Sequence, residues 1–89
     1  SQHAKLLLSL GVDLTRCCDD FFPRALESKL FLEHGKARLA ATATQAQAFQ
    51  SCALNQREET EDPDNSRVVN VSVAVHALII SHEMQLGRI

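Results

Sequence analysis

The sequence predicts an all-α fold, a small helical bundle or helical hairpin with a bent N-terminal helical segment. Three observations carry this. Apolar residues near the N-terminus recur at alternating steps of four and three, the middle is rich in Ala and Gln, and the closing apolar run also has a helical stripe. The chain has 89 residues, room for one domain over 1–89, since typical domains hold roughly 100 to 200. Ser1 in first position points to processing or trimming, so the sequence leaves open that it is a fragment of a longer chain.

Residues 2–22 read as helix, because His3, Leu7, Leu10, Leu14, Cys17 and Phe21 fall along one face. Gly11 weakens that helix by about 1 kcal/mol relative to Ala and is the point at which it could split. Pro23 bends or breaks the chain and suits the first turn of a following helix. That next segment, Pro23 to His34, places Leu26 and Leu30 one turn apart and ends at Gly35, which favours the left-handed cap. A β-hairpin around His34-Gly35 is the alternative, since Leu30 and Leu32 alternate with Phe31.

From Lys36 to Glu59 the helix formers Ala and Gln dominate, with Leu39, Ala43, Ala46, Phe49 and Ala53 along one face. Small residues there permit close approach of a neighbouring helix. Asp62-Pro63-Asp64-Asn65-Ser66 is the clearest break. Asp62 or Ser66 can cap the last segment, Val68 to Leu86. Its residues Val69, Val71, Val73 and Val75 alternate as a strand would. Val68, Val71, Val75, Ile79, His82 and Leu86 trace a helical stripe, and the run exceeds a usual strand of about 5 or 6 residues. Helix is the favoured reading. The alternative is an α+β fold with Val68–Ile80 as a strand, serving as a ligand-binding or accessory enzymatic domain.

Nine basic and eleven acidic residues give a net charge of -2, and no basic patch points to nucleic acid. The acidic run Glu58, Glu59, Glu61, Asp62, Asp64 reads as a solvated loop, lacking the Gly and closing Glu of a calcium loop. Val68–Ile80 is too short to cross a membrane, which takes about 20 residues. Cys17, Cys18 and Cys52 are odd in number with two adjacent, so no disulfide framework is expected. A cytoplasmic or other reducing intracellular compartment follows from that expectation.

The same three cysteines and four histidines lack the paired spacing of zinc ligands, so no metal or cofactor is expected. His76 and His82 are not one turn apart. His82 with Glu83 could act as acid and base, but no nucleophile or oxyanion motif accompanies them, and no phosphate-cradling glycine loop is present. The expected protein is not an enzyme.

The stretch His76-Ala77-Leu78-Ile79-Ile80-Ser81, followed by Leu86-Gly87, is similar to the phosphoacceptor segment of histidine phosphotransfer domains, which are four-helix bundles. His76, Leu78, Ser81 and Leu86 carry the likeness, over about a dozen residues. Ile79 and Ile80 stand where that family has Lys and Gly, removing the positive charge and crowding the partner's face.

With a modest core, since a chain this short buries only about 60 to 65% of its unfolded surface, partner burial can matter. The expected function is a non-catalytic protein-interaction or oligomerisation module, a small adaptor or chaperone-like subunit. Its partner is a protein or a second copy, not nucleic acid or a membrane. Leu7, Leu10, Leu14, Val71, Val75, Ile79 and Leu86 are the expected interface residues.

Overall fold

The computed structural model describes residues 2–21, 41–58 and 63–87. They form four helices and, among the described residues, no strand: α1 (Gln2–Ser9), α2 (Leu14–Phe21), α3 (Ala43–Glu58) and α4 (Pro63–Leu86). The all-α expectation holds. The strand alternative for Val68–Ile80 is overturned, since all of it lies within α4. At 24 residues, α4 has room to repeat a buried face over several turns, and that outweighs the β preference of its valines. The expected helix from Pro23 to His34 and the turn of the rival hairpin at His34-Gly35 lie outside the described residues.

The single N-terminal helix expected over 2–22 is two helices, for a reason written at Gly11. Gly11 has φ +87°, donates its N–H to Leu8 O at 3.0 Å, and is followed by Val12 N–H donating to Leu7 O at 3.1 Å. This pair of bonds is a Schellman cap, and Val12 and Leu7, the positions such a cap brings together, are both buried in the same apolar cluster. Asp13 then starts α2: its Oδ1 accepts from Arg16 N–H at 3.2 Å, as an N-cap does.

α3 begins at Ala43, later than the expected start at Lys36; residues 36–40 lie outside the described residues. Its start is a capping box. Gln45 N–H donates to Thr42 Oγ1 at 3.1 Å while Thr42 N–H donates to Gln45 Oε1 at 2.9 Å. α4 opens with Pro63, whose missing N–H is no loss in a first turn. Of the two expected caps, Ser66 lies inside α4 and Asp62 outside the described residues. At the far end Gly87 adopts φ +65°.

α3 and α4 pack antiparallel, with the start of one beside the end of the other. Ala41 N–H donates to Met84 O at 3.0 Å, a second donor beside Gly87 N–H at 3.2 Å for this carbonyl at the end of α4. Deeper in the pair, buried Ser81 places Oγ 2.9 Å from Ala46 O and 2.8 Å from Ala77 O, between which its single proton is shared. α1 packs on α4, and α2 on α3. The core joins Ala4 and Leu7 of α1, Leu14, Cys17 and Cys18 of α2, Phe49 and Ala53 of α3, and Val73, Ala77, Ile80 and Met84 of α4. Ala46 and Ala53 are fully buried on α3, in line with the small residues read there; Ala43 is exposed.

Candidate functional site

α4 carries two apolar faces. At about 100° per residue, Val73, Ala77, Ile80 and Met84 share one side, while Val68, Val71, Val75, Leu78 and Leu86 gather on the opposite side. The first set is fully buried. The second stays in solvent: Val68 is 73% exposed, Val71 62% and Leu78 57%, with Val75 and Leu86 also exposed. Arg67 and His76 border a shallow groove whose floor is Val68, Val71 and Val75. Leu78, Ile79, His82 and Glu83 line a second depression further along the helix.

The expected interface residues therefore divide. Val71, Val75 and Leu86 are exposed on this outer face, and Ile79 is half-buried at its edge. Leu10 is half-buried and packs against the core. Leu7 and Leu14 are fully buried inside the chain, so they hold its own helices together and have no surface to offer a partner. Val68 and Leu78 were not among the expected interface residues; a helical-wheel reading of the whole run places them on the same face.

A polar cluster joins α1 to α4. His3 Nδ1 and His76 Nδ1 lie 3.3 Å apart, so a hydrogen bond between them requires one ring to carry its proton on Nδ1 and the other not. The ring centroids are 5.5 Å apart. His3 Nε2 faces Glu83 Oε1 at 3.8 Å. Among the described residues no group of three or more His, Cys, Asp or Glu side chains is placed to hold a metal ion. His76 is half-buried against His3 rather than standing free as a phosphoacceptor histidine does, and His82 is exposed.

The cysteines depart from expectation. Cys17 of α2 and Cys52 of α3 are joined by a disulfide, with Cα atoms 5.6 Å apart, inside the normal span for such a bond. Cys18 is buried and lies outside that bond. Adjacent cysteines point about 100° apart on a helix, so Cys18 is turned away from the direction in which Cys17 meets Cys52. Disulfides persist chiefly in oxidising compartments, and this pairing removes the cysteine argument for a reducing one. Among the described residues no helix is long and apolar enough to cross a membrane.

Around the disulfide, Gln56 donates through Nε2 to Cys17 Sγ at 3.2 Å and lies 3.7 Å from Cys52 Sγ. The same side chain accepts from Asp13 N–H, and Arg57 donates to Leu10 O at 3.2 Å. The last two turns of α3 thus grip the α1–α2 connection.

No protein-family model matches the chain, and neither a curated protein nor a solved structure does.

Proposed function

We propose that the protein is a non-catalytic protein-interaction module that docks an apolar helix on the outer face of α4, and that the helix it docks is α4 of a second copy. One observation carries the reading: Val68, Val71, Val75, Leu78 and Leu86 form an exposed apolar stripe directly opposite a complete core face. Scattered apolar residues on a surface need no explanation, but a row of them along one helix face favours association. The stripe runs from Val68 to Leu78, about 15 Å at 1.5 Å per residue, and resumes at Leu86 beyond the exposed His82; a two-fold axis lets the same stripe serve both partners. An adaptor or chaperone-like subunit would use the same face for another protein's helix.

Replacing Val71 and Leu78 together by Lys tests it. The double variant is expected to keep its helical circular dichroism and to lose self-association in sedimentation equilibrium. A wild-type chain that stays monomeric at every accessible concentration would contradict the self-association.

A further inference from the structure

We propose that Cys52 is a site of reversible S-thiolation, the sulfur at which a small zwitterionic thiol of the glutathione type opens the Cys17–Cys52 bond. Thiol–disulfide exchange needs a thiolate to reach one sulfur and the other sulfur to leave, so access and leaving-group stability decide which sulfur is attacked. Access separates the two. Cys17 is fully buried, whereas Cys52 is partly exposed and lines a surface depression between α2 and α3 with Arg16, Asp20, Ser51 and Asn55.

Leaving-group stability points the same way. Gln56 Nε2 donates to Cys17 Sγ at 3.2 Å, closer than its 3.7 Å to Cys52 Sγ. A hydrogen bond to an ionised acceptor is roughly twice as strong as one between neutral groups. The amide therefore favours the state in which negative charge has moved to Cys17. It is held ready for this, because Nε2 also donates to Asp13 O at 3.1 Å. Arg16 and Asp20, both lining the depression, present one charge of each sign to a thiol that carries carboxylates and an ammonium group.

In the step, the attacking sulfur bonds to Cys52 Sγ as the Cys17–Cys52 bond breaks. The electron pair of that bond leaves on Cys17 Sγ, which takes a proton from water. The incoming thiol is oxidised to a mixed disulfide and Cys17 is reduced, with no other oxidant required. Attack by Cys17 on the mixed disulfide reverses the step and expels the small thiol.

The test uses the purified full chain incubated with reduced glutathione, quenched in acid and mapped by peptide mass spectrometry. The expected result is a glutathionyl adduct confined to Cys52, formed under conditions where circular dichroism reports a folded chain. Arg16→Ala is expected to slow adduct formation several-fold with glutathione and clearly less with mercaptoethanol, whose attacking thiolate is its only charge. An adduct on Cys17 or Cys18 overturns the assignment, as does reaction only after unfolding in denaturant. Equal effects of Arg16→Ala on both thiols overturn the charged recognition, and recovery of Cys17 and Cys52 as thiols from air-oxidised protein overturns the site itself.

Discussion

Gln56 holds Asp13 by both of its backbone groups: Oε1 accepts from Asp13 N–H at 2.6 Å and Nε2 donates to Asp13 O at 3.1 Å. A side-chain amide here does the work of a neighbouring strand, fixing the residue that starts α2 to the last turn of α3. Asp13 is exposed, so water can replace the lost partners, and Gln56→Ala is expected to cost about 1 kcal/mol. Gln56→Glu keeps the acceptor but turns a carboxylate toward the Asp13 carbonyl and Cys17 Sγ. Urea denaturation should therefore rank Gln56→Glu at or below Gln56→Ala in midpoint; a Glu variant as stable as wild type would show the donor half of the clamp to be idle.

Gly11 is required by conformation rather than by space. A Cβ there would meet Arg57 Nη1 at 3.7 Å, an ordinary contact, but φ is +87°. An L-residue pays roughly 1–2 kcal/mol in the left-handed region, partly offset by the lower entropy of its unfolded chain. Gly11→Ala should lower stability by about 1 kcal/mol, or roughly 4–8 °C in Tm for a chain of this size. Gly11→Asn should lose less, because Asn tolerates that region. Equal losses from Ala and Asn in a thermal melt would count against the cap as the cause.

The Cys17–Cys52 bond closes a loop of sequence separation 35. The chain-entropy model gives about 4 kcal/mol for such a loop, and typical disulfides contribute 2–4. Adding a reductant should lower the urea midpoint accordingly, and the double variant Cys17→Ala/Cys52→Ala should be insensitive to reductant. A wild-type midpoint unmoved by reductant would mean the bond adds nothing to stability.

Ser81 is buried between α3 and α4, with its hydroxyl between two carbonyls. Ser81→Ala removes a net contribution of roughly 0.5–1.5 kcal/mol. Ser81→Leu forces extra volume against Ala46 and should cost about 1–3 kcal/mol. The chemical-denaturation order wild type, Ala, Leu is the expected outcome; a Leu variant more stable than Ala would place a void where the packing here is tight.

The helical class was legible because spacing and composition agree along most of the chain. Where the reading missed, the missing information was mostly three-dimensional. α4 is apolar on both sides, so periodicity found a stripe through Val71 and Val75 but could not say that Val73, Ala77, Ile80 and Met84 face inward. The expected interface included Val71, Val75 and Leu86, which lie exposed on the outer face. It also took in Leu7 and Leu14, since the four-three spacing carries unbroken across the Gly11 turn and an inner stripe looks like an outer one. The Cys17–Cys52 pairing depends on how α2 lies along α3, which no local pattern encodes. Two signals were present and passed over: Gly11-Val12-Asp13 reads as a C-cap followed by an N-cap, and Thr42-x-x-Gln45 is a capping box that starts α3 at Ala43.

The outer face of α4 as a docking surface is tested most directly by sedimentation equilibrium of the wild-type chain beside Val71→Lys/Leu78→Lys, with circular dichroism on the same samples. A concentration-dependent dimer for the wild type, a monomer for the variant, and matching helical spectra for both are expected. A monomeric wild type, or a variant that associates as strongly as the wild type, would contradict it.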